Sequence, residues 1–305
     1  MHAIILTAGE GARLGSWTSN RPKGMIPIGN RPILDYLVRG IVKSGVKKIN
    51  MVVGYSKNSV MSYFGDGSSF GAKISYFFQE KRTGTLEAMR IGMSEDVEDF
   101  LLVPGDNYVS NDSFSKLRAA KGLALLSGKA DRWSKWGEIE LEKGKAKITF
   151  DNPEAYQRIH FTGIAKLNSE IANELINSSG KHIGEALELI LPSSDFEVVE
   201  SKHWHNIVYP WDLISGNRVA FLDNQLYRNG KIEKNVTIKG AVSIGKGTII
   251  RSGTYLVGPI SIGDSCDIGP NSVIGPSVSL GDNVQIGSFS EILDSIVMKN
   301  CEIGS

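Results

Sequence analysis

The side chains best suited to chemistry lie within the first thirty residues. Gly9 and Gly11 lie three and five residues after the end of an apolar run at residues 3–6. Glycine allows a backbone to approach an anionic group closely and to present its N–H donors to it. Arg13 and Lys23 come next and bring fixed positive charge, which suits phosphate oxygens. This combination predicts a loop that binds the phosphates of a nucleotide.

The spacing of these glycines differs from that of the two common phosphate-binding motifs. Leu14 stands where the dinucleotide-binding pattern G-x-G-x-x-G requires glycine, and the pattern G-x-x-x-x-G-K-[ST] is absent. A pair of glycines after a strand is, by itself, more often a tight turn than a binding site. The glycines alone therefore do not decide the function.

The complete string resembles the signature of the sugar-1-phosphate nucleotidylyltransferases. The family pattern L-x-A-G-x-G-x-R-L, then a threonine, then P-K-x-M-x-P, is matched by Leu6, Ala8, Gly9, Gly11, Arg13, Leu14, Thr18, Pro22, Lys23, Met25 and Pro27. Ser16 departs from the pattern, because the family usually has proline there. The resemblance implies transfer of a nucleotidyl group from UTP or dTTP to a sugar 1-phosphate, either glucose-1-phosphate or N-acetylglucosamine-1-phosphate. Pyrophosphate would be released.

The resemblance also implies roles for individual residues. Arg13 would hold the β- and γ-phosphates, Lys23 would stabilise the α-phosphate, and Asp106 would complete the catalytic set by holding Mg²⁺. The nucleotide-binding residues that the family implies are Leu6, Ala8, Gly9, Gly11, Arg13, Gln79, Gly84 and Thr85. No protein nucleophile or general base is expected, because the attacking phosphate is already anionic and the task is to neutralise charge.

Two aspartates are candidate metal ligands. Asp106 directly follows the apolar run at residues 100–104, and a carboxylate at the end of a buried strand offers the hard oxygen that Mg²⁺ prefers. The alternative is an ordinary strand-ending turn, and the resemblance favours the metal. Asp212, in the string P-W-D-L, is similar to the family's second metal ligand. It could instead cap the helix that follows.

Gln79, Gly84 and Thr85 match the family's base-recognition segment with its spacing intact. A glutamine amide donates and accepts at once, which suits the imide edge of uracil or thymine. The alternative interpretation is a strand-to-helix turn in which Thr85 caps the helix. Both interpretations can hold together.

The expected sugar-phosphate-binding residues are Gly137, Asp151 and Gly163, and here the pattern departs from the family. Trp136 and Gly137 resemble its aromatic-glycine strand. Its usual Glu-Lys-Pro is D-N-P at residues 151–153, and its usual Asn-Thr-Gly is F-T-G at residues 161–163. A cation is missing and an apolar ring is added, so the identity of the sugar stays open.

Composition excludes several other classes of function. The chain has 305 residues and a net charge of +1, which argues against a nucleic-acid or anionic-membrane partner. No apolar run approaches the length of a membrane span. Cys266 and Cys301 form neither a disulfide framework nor a metal motif, so a cytoplasmic location is expected. Four of the five histidines lack metal-site spacing and are interpreted as structural: His160, His182, His203 and His205.

The two halves of the chain have different periodicities. In residues 1–223, apolar runs such as 51–54 and 100–105 alternate with amphipathic stretches such as 33–42 and 85–93. This alternation is typical of a mostly parallel sheet with helices on both faces, in which ligands bind beyond the carboxyl ends of strands. We therefore predict an α/β, Rossmann-like nucleotidyltransferase domain over residues 1–223.

From residue 232 onward an aliphatic residue recurs at every sixth position. The series is Ile232, Ile238, Ile244, Ile250, Leu256, Ile262, Ile268, Ile274, Leu280, Ile286, Ile292 and Met298. This period fits neither a helix nor an ordinary strand, and it resembles the hexapeptide-repeat left-handed parallel β-helix. We predict such a solenoid over residues 224–305, with the aliphatic residues and Cys266 in its core. A stacking scaffold without chemistry of its own is the favoured interpretation of this half of the chain.

The resemblance implies a homotrimer assembled through the solenoid. Apolar residues such as Tyr255, Val257 and Phe289 lie between the inward positions and would be uncovered in a monomer. The chain stops at Ser305 without a polar cap, so we expect either a covering partner or a truncated form of a longer protein. Archaeal-type relatives continue into further coils that carry an acetyltransferase site, and this favours truncation.

Two other classes of function are open alternatives. A non-catalytic regulatory or binding subunit could keep this architecture, although it would not need Lys23 and Asp106, which are both present. An acyltransferase acting at the solenoid would need a histidine base, and no histidine follows His205. The chain could also be a fragment of a bifunctional nucleotidyltransferase and acetyltransferase.

Overall fold

A computed structural model of the chain describes residues 1–81, 83–130, 136–142, 145–150, 158–180, 182–223 and 226–305. The backbone divides into two compact units. The first comprises Met1–Ile26 and Ile33–Val208, and the second comprises Pro27–Pro32 and Tyr209–Ser305. The expected domain boundary between residues 223 and 224 lies within the second unit and stays a prediction. No helix in the described ranges has the length and apolarity that a bilayer crossing requires.

The elements before the solenoid alternate as expected. In chain order they are β1 (His2–Leu6), β2 (Pro27–Ile28), β3 (Arg31–Pro32), α1 (Ile33–Lys43), β4 (Lys48–Val53), α2 (Lys57–Phe64), β5 (Lys73–Phe78), α3 (Thr85–Gly92), β6 (Asp99–Pro104), β7 (Asn107–Val109), α4 (Asp112–Ala119), β8 (Leu123–Ala130), β9 (Glu138–Glu142), β10 (Lys145–Thr149), β11 (Arg158–Asn168), α5 (Ser169–Asn177), α6 (Ile183–Ile190), β12 (Phe196–Glu200), β13 (Trp204–Asn206) and α7 (Pro210–Ala220). Short 3₁₀ turns connect several of them, including Ala12–Thr18 and Lys23–Met25.

The first unit is built on a mixed sheet with the order β10-β9-β11-β6-β1-β4-β5, to which β8 and β12 are added beside β11. Strands β5, β4, β1 and β6 are parallel neighbours, which confirms the Rossmann-like α/β fold. The sheet is mixed because β11 runs antiparallel to β6, β8 and β9. Apolar residues of the parallel strands, such as Ile5, Val52 and Leu102, are fully buried, as expected for strands covered on both faces.

The register of the parallel strands determines where the loops meet. Leu6 at the end of β1 lies beside Pro104 at the end of β6, and Gly105 N donates to Leu6 O at 2.9 Å. The glycine-rich segment and Asp106 therefore leave the sheet at the same edge, beyond the carboxyl ends of adjacent strands. Ligands bind at this edge in sheets of this type.

The second unit contains a parallel β-helix with three faces. Its strands are β14 (Lys231–Ile232), β15 (Thr237–Lys239), β16 (Val242–Ile244), β17 (Ile249–Ile250), β18 (Tyr255–Val257), β19 (Ile260–Ile262), β20 (Asp267–Ile268), β21 (Val273–Ile274), β22 (Val278–Leu280), β23 (Gln285–Ile286), β24 (Glu291–Ile292), β25 (Ile296–Val297) and β26 (Glu302–Ile303). Every third strand joins the same sheet, in the orders β14-β17-β20-β23-β26, β15-β18-β21-β24 and β16-β19-β22-β25. This architecture confirms the predicted hexapeptide solenoid.

The six-residue period places its aliphatic residues as predicted in the middle of the solenoid but not at its two ends. Ile232, the first of the series, is 38% exposed, so the prediction that it lies in the core is wrong. Every predicted position from Ile244 to Ile292 is buried, and Cys266 is buried with them, where burial raises the pKa of its thiol. The prediction for Met298 is wrong. Leu280 pairs with Val297, whereas earlier partners are 18 residues apart, such as Ile262 and Leu280. The last coil is one residue shorter, so Val297 takes the inward position.

One face of the solenoid is covered within the second unit. Ser243, Ser261 and Ser279 occupy equivalent positions on β16, β19 and β22 and are buried although they face outward. The Asn30 amide donates to Ser261 O, Ser261 Oγ and Leu280 O at 2.9, 3.1 and 2.7 Å. Asn217 of α7 accepts from Ser279 Oγ at 2.6 Å. The hairpin β2–β3 and helix α7 thus lie on this face.

Candidate active site

The glycine-rich segment after β1 is shaped by close contacts. Gly11 has a left-handed backbone with φ of 72°, and a Cβ at this position would lie 2.8 Å from Lys23 Cβ. Thr18 Oγ1 donates to Gly15 O at 3.1 Å and ties the 3₁₀ turn Ala12–Thr18 together. Residue 11 must therefore be glycine for the segment to lie against Lys23.

Lys23 and Asp106 form an ion pair, with Nζ 2.8 Å from Oδ2. The side chains are only 13% and 18% exposed, so the attraction between the charges is screened less than at an open surface. Gly24 allows this approach, because a Cβ there would lie 2.9 Å from Gly105 O and 2.6 Å from Leu34 Cγ. The backbone of Asp106 is held by Ile207 N, which donates to its carbonyl at 3.1 Å.

A cavity of about 410 Å³ opens at this edge of the sheet. Arg13, Lys23 and Asp106 line it, so all three expected catalytic residues contribute to the wall of the same cavity. The expected nucleotide-binding residues line it as well: Leu6, Ala8, Gly9, Gly11, Gln79, Gly84 and Thr85. The roles of these residues stay predictions, but the structure brings all of them together.

The base-recognition segment has a defined internal geometry. Gln79 Nε2 donates to Gly84 O at 3.2 Å, which orients the amide. Helix α3 begins at Thr85, but its N-cap is Gly84 and no side chain caps it among the described residues. The expectation that Thr85 caps the helix is therefore wrong. Thr85 Oγ1 instead accepts from Ile183 N at 3.2 Å.

Two of the three residues expected at the sugar lie within the described part of the chain. Asp151 lies outside the described residues. Gly137 and Gly163 both have left-handed backbones, with φ of 82° and 81°. A Cβ at Gly163 would lie 2.8 Å from the Trp136 ring, and the described lining of the cavity includes Trp136 but neither glycine. Both sugar-binding assignments stay predictions; the observed effect of Gly163 is to let the indole of Trp136 pack here.

Asp212 caps a helix. Its Oδ2 accepts from Tyr209 N at 2.8 Å, and its own N–H donates to Tyr209 O at 3.0 Å, so it forms a capping box at the start of α7. The capping alternative is thus observed, while the metal role of Asp212 stays a prediction. Within the described part of the chain, no group of three or more histidine, cysteine or acidic side chains is arranged as a metal site.

Several lining residues were not singled out from the sequence. They are Thr7, Gly24, Ala88, Pro104, His182 and Val208. Thr7, Gly24 and Pro104 are neighbours of motif residues and could have been found from the motifs. The sequence context of His182 predicts a structural role, and Val208 carries no chemical signal. Only the folded chain places these two residues at the cavity.

Comparison with known proteins agrees with this geometry. Residues 2–197 match the nucleotidyl transferase family, and residues 259–294 match the bacterial transferase hexapeptide family with six repeats. The crystal structure of a protein assigned as a glucose-1-phosphate thymidylyltransferase from Bacillus anthracis, in complex with a sucrose, superimposes with a TM-score of 0.65. It is 20% identical, and the match covers 75% of this chain and 98% of that one, which supports the fold.

Three curated relatives are more similar in sequence. The bifunctional protein GlmU of Methanococcus maripaludis is 34% identical over 82% of this chain and 62% of its own length. GlmU of Methanococcus vannielii is 35% identical over 99% of this chain and 75% of its own length. A bifunctional sugar-1-phosphate nucleotidylyltransferase/acetyltransferase of Sulfurisphaera tokodaii is 31% identical over 84% and 65%.

The chain therefore spans about 62% of the length of the M. maripaludis relative. The family match covers the whole glycine-rich segment, the base-recognition segment and the end of β6. These are the elements that surround the cavity, and they confirm the resemblance first found in the motifs. The chain belongs to the nucleotidyl transferase family and carries a C-terminal hexapeptide-repeat solenoid.

Proposed function

We propose that this chain is a sugar-1-phosphate nucleotidylyltransferase. It would transfer a nucleotidyl group from UTP or dTTP to glucose-1-phosphate or N-acetylglucosamine-1-phosphate. The observation that carries the proposal is the Lys23–Asp106 ion pair on the wall of the cavity into which the glycine-rich segment opens. The name of the S. tokodaii relative, a sugar-1-phosphate nucleotidylyltransferase/acetyltransferase, supports the same reaction class.

The proposed reaction is an in-line displacement. An oxygen of the sugar phosphate attacks the α-phosphorus and forms a new P–O bond, while the bond between the α-phosphorus and its bridging oxygen breaks. Pyrophosphate leaves with that electron pair. The attacking oxygen is already anionic, so the protein's part is to bring two repelling anions together and to neutralise the charge on the reacting phosphorus.

Arg13 and Lys23 supply that positive charge. Arg13 would hold the leaving β- and γ-phosphates, since its planar guanidinium suits two oxygens at once. Lys23, held against the end of β6 by its ion pair with Asp106, would stabilise the α-phosphate. A preorganised charge of this kind typically contributes about 3–4 kcal/mol to a transition state.

We propose Mg²⁺ as the metal. Asp106 offers a carboxylate on the cavity wall, and Mg²⁺ is commonly held by one or two carboxylates together with substrate phosphates and water. The donor set therefore fits the ion without a larger acidic cluster. Asp106, and Asp212 in the family pattern, would hold it. When bound, the ion would add positive charge beside the phosphates.

Pyrophosphate release over a matrix of four nucleoside triphosphates and several sugar 1-phosphates tests the proposal. UTP or dTTP with glucose-1-phosphate or N-acetylglucosamine-1-phosphate should be turned over. Lys23→Ala protein, measured over the same matrix, controls for contaminating activity. If the wild-type protein releases no pyrophosphate with any pair, the non-catalytic alternative is favoured instead.

Two observations concern the alternative that the chain is part of a bifunctional nucleotidyltransferase and acetyltransferase. The relatives named above are bifunctional proteins, and residues 206–305 contain no histidine to act as an acyl-transfer base. Acetyl transfer from acetyl-CoA to a glucosamine phosphate, measured with this chain, should therefore be absent. Detectable transfer would show that a second activity resides here.

We further propose a cytoplasmic homotrimer assembled through the solenoid. One solenoid face is covered by α7 and the β2–β3 hairpin, and another carries the Arg251–Asp267 ion pair. The sheet β15-β18-β21-β24 instead has apolar residues on its outer side or at its edges, with Leu293 45% and Phe289 76% exposed. These exposed apolar groups favour an interface between copies. The two free thiols are compatible with a reducing compartment.

A further inference from the structure

His182 lies on the cavity wall, and the reaction described above does not use it. It directly precedes α6, its side chain is exposed, and it lines the same cavity as Lys23. Among the described lining residues, the side chains that can carry a charge near neutral pH are Arg13, Lys23, Asp106 and His182. An imidazole at a substrate cavity can donate a hydrogen bond and, when protonated, supply positive charge.

Two hydrogen bonds hold the backbone where His182 enters α6. Ala186 N donates to His182 O at 3.0 Å, which is the first hydrogen bond of α6. Ile183 N donates to Thr85 Oγ1 at 3.2 Å. Ile183 and Gly184 are buried, so the start of the helix is anchored and the imidazole is held at the wall instead of moving with a free loop.

The contacts of the described residues assign no structural role to the imidazole of His182. Within the described residues, it caps none of the N–H groups of α6 and no carboxylate lies within ion-pair distance of it. His160 differs, since it is buried and lies 6.4 Å from the ring of Trp204. A histidine that is exposed at a cavity, on a rigid helix start and without an internal partner, is suited to bind a ligand.

His182 and the two cations expected at the triphosphate come from different elements of the first unit. Arg13 and Lys23 both belong to the segment that follows β1, and Lys23 is already paired with Asp106. The start of α6 instead lies beside Trp136, where a Cβ at Gly184 would be 3.5 Å from Trp136 O. Arg13 and Lys23 are assigned to the triphosphate, so His182 is the other side chain among the described lining residues that can carry positive charge towards the second anion.

We propose that His182 binds the phosphate of the sugar 1-phosphate. The inference rests on the proposed function and goes further, because it names a residue that determines affinity for the second substrate. The imidazolium would hold the attacking phosphate from the α6 side, while Arg13 and Lys23 hold the triphosphate. Two anions would then be drawn into one cavity from different elements.

Three variants test the proposal in the full chain. His182→Ala removes the group, His182→Gln keeps a donor without the charge, and His182→Lys keeps the charge. His203→Gln is the matched control, since His203 is in the same unit and is not among the described lining residues. The readouts are kcat, KM for each substrate, and the Kd of glucose-1-phosphate measured by calorimetry without nucleotide.

His182→Ala should raise both KM and Kd for the sugar phosphate about tenfold, as expected for loss of a charge-assisted hydrogen bond. The KM for the nucleotide and the thermal midpoint should stay near wild type. His182→Lys should recover most of the affinity, and His182→Gln should recover little. His203→Gln should behave as wild type.

Other results would overturn the proposal. If wild-type protein turns over its substrates and His182→Ala leaves sugar-phosphate affinity unchanged, His182 does not bind this ligand. If both KM values rise together and the thermal midpoint falls, its role is structural. Failure of the proposed function itself would look different, because the wild-type protein would then neither release pyrophosphate nor bind a sugar phosphate in calorimetry.

Discussion

Lys23 and Asp106 are the residues on which catalysis should depend most. Lys23→Ala and Asp106→Ala should each lower kcat about 100-fold or more, because each removes a preorganised charge beside the reacting phosphates. The measurement is steady-state pyrophosphate release, together with the thermal midpoint of each variant. Lys48→Ala and Asp96→Ala provide the matched control, since Lys48 and Asp96 form an exposed ion pair in the same unit. Near wild-type turnover in folded Lys23→Ala protein would contradict the catalytic role proposed for Lys23.

Asp212 has an observed structural role and an expected catalytic one. Asp212→Asn should keep most of the helix cap, since an asparagine amide oxygen can still accept the hydrogen bond from Tyr209 N. It should weaken Mg²⁺ binding and raise the Mg²⁺ concentration needed for half-maximal rate. A titration of rate against Mg²⁺ measures this. Asp112→Asn, in the first turn of α4, controls for loss of an acidic group at a helix start. An unchanged titration would leave Asp212 as a cap only.

At the scale of elements, the Asn30 side chain joins the β2–β3 hairpin to the solenoid. Asn30 makes three hydrogen bonds to the second and third coils and has a left-handed backbone with φ of 65°. Asn30→Gly keeps that backbone accessible while removing the amide, and it should lower the free energy of unfolding by about 1–3 kcal/mol because buried acceptors lose their donor. Denaturant unfolding measures this.

Asn283→Gly is the control for that prediction. Asn283 also has a left-handed backbone, with φ of 57°, but its amide makes one exposed hydrogen bond, to Asn300 Oδ1 at 3.0 Å. Its replacement should change stability less than that of Asn30. Equal losses in the two variants would mean that the hairpin contributes no special stability.

The contact between α7 and the solenoid includes an ion pair that should respond to pH. Arg218 donates to Asp294, and this hydrogen bond holds the pKa of the Asp294 carboxyl below its ordinary value. A carboxyl whose pKa is lower in the folded chain stabilises it above the unfolded pKa, near 4. That contribution is lost as the pH falls through the folded value.

The expected effect is small, because both side chains are largely exposed. The difference in thermal midpoint between the wild-type chain and Asp294→Asn should be present at pH 7 and should shrink towards pH 3. Thermal unfolding in closely spaced buffers measures it. A difference that stays constant with pH would show that the ion pair is not its cause.

At the scale of the whole molecule, Phe289 is the residue most informative about assembly. It is 76% exposed and has a left-handed backbone with φ of 58°, which is unfavourable for a bulky side chain. Asn271, one coil earlier, has φ of 56°, so Phe289→Asn should relieve strain in the monomer and remove an apolar contact between copies. Light scattering should show fewer subunits for Phe289→Asn combined with Leu293→Ser.

Two outcomes distinguish the role of this surface. Gln285→Ser, on a different solenoid face, should leave the subunit count unchanged and serves as the control. If the double variant keeps the wild-type count with an unchanged thermal midpoint, the solenoid edge near Phe289 is not where copies associate. Assembly through the first unit would then be the better explanation.

Much of the architecture could be predicted from local patterns. A strand, glycines and cations follow one another within about thirty residues, so the residues of this part of the site are near neighbours along the chain. The six-residue period is equally local, because each coil repeats the same short segment and the inward side chain recurs at a fixed interval. For this reason the sequence determined the family, the α/β fold and the solenoid.

Tertiary structure decided what depends on segments far apart in the chain. Lys23 meets Asp106 across 83 residues, and the start of α6 meets Thr85 across 98, which no spacing rule reveals. The helix-capping role of Asp212 and the inward position of Val297 likewise follow from where the backbone turns. These features arise because packing and hydrogen bonding are optimised over the folded chain, whereas a sequence pattern records only the neighbours along it.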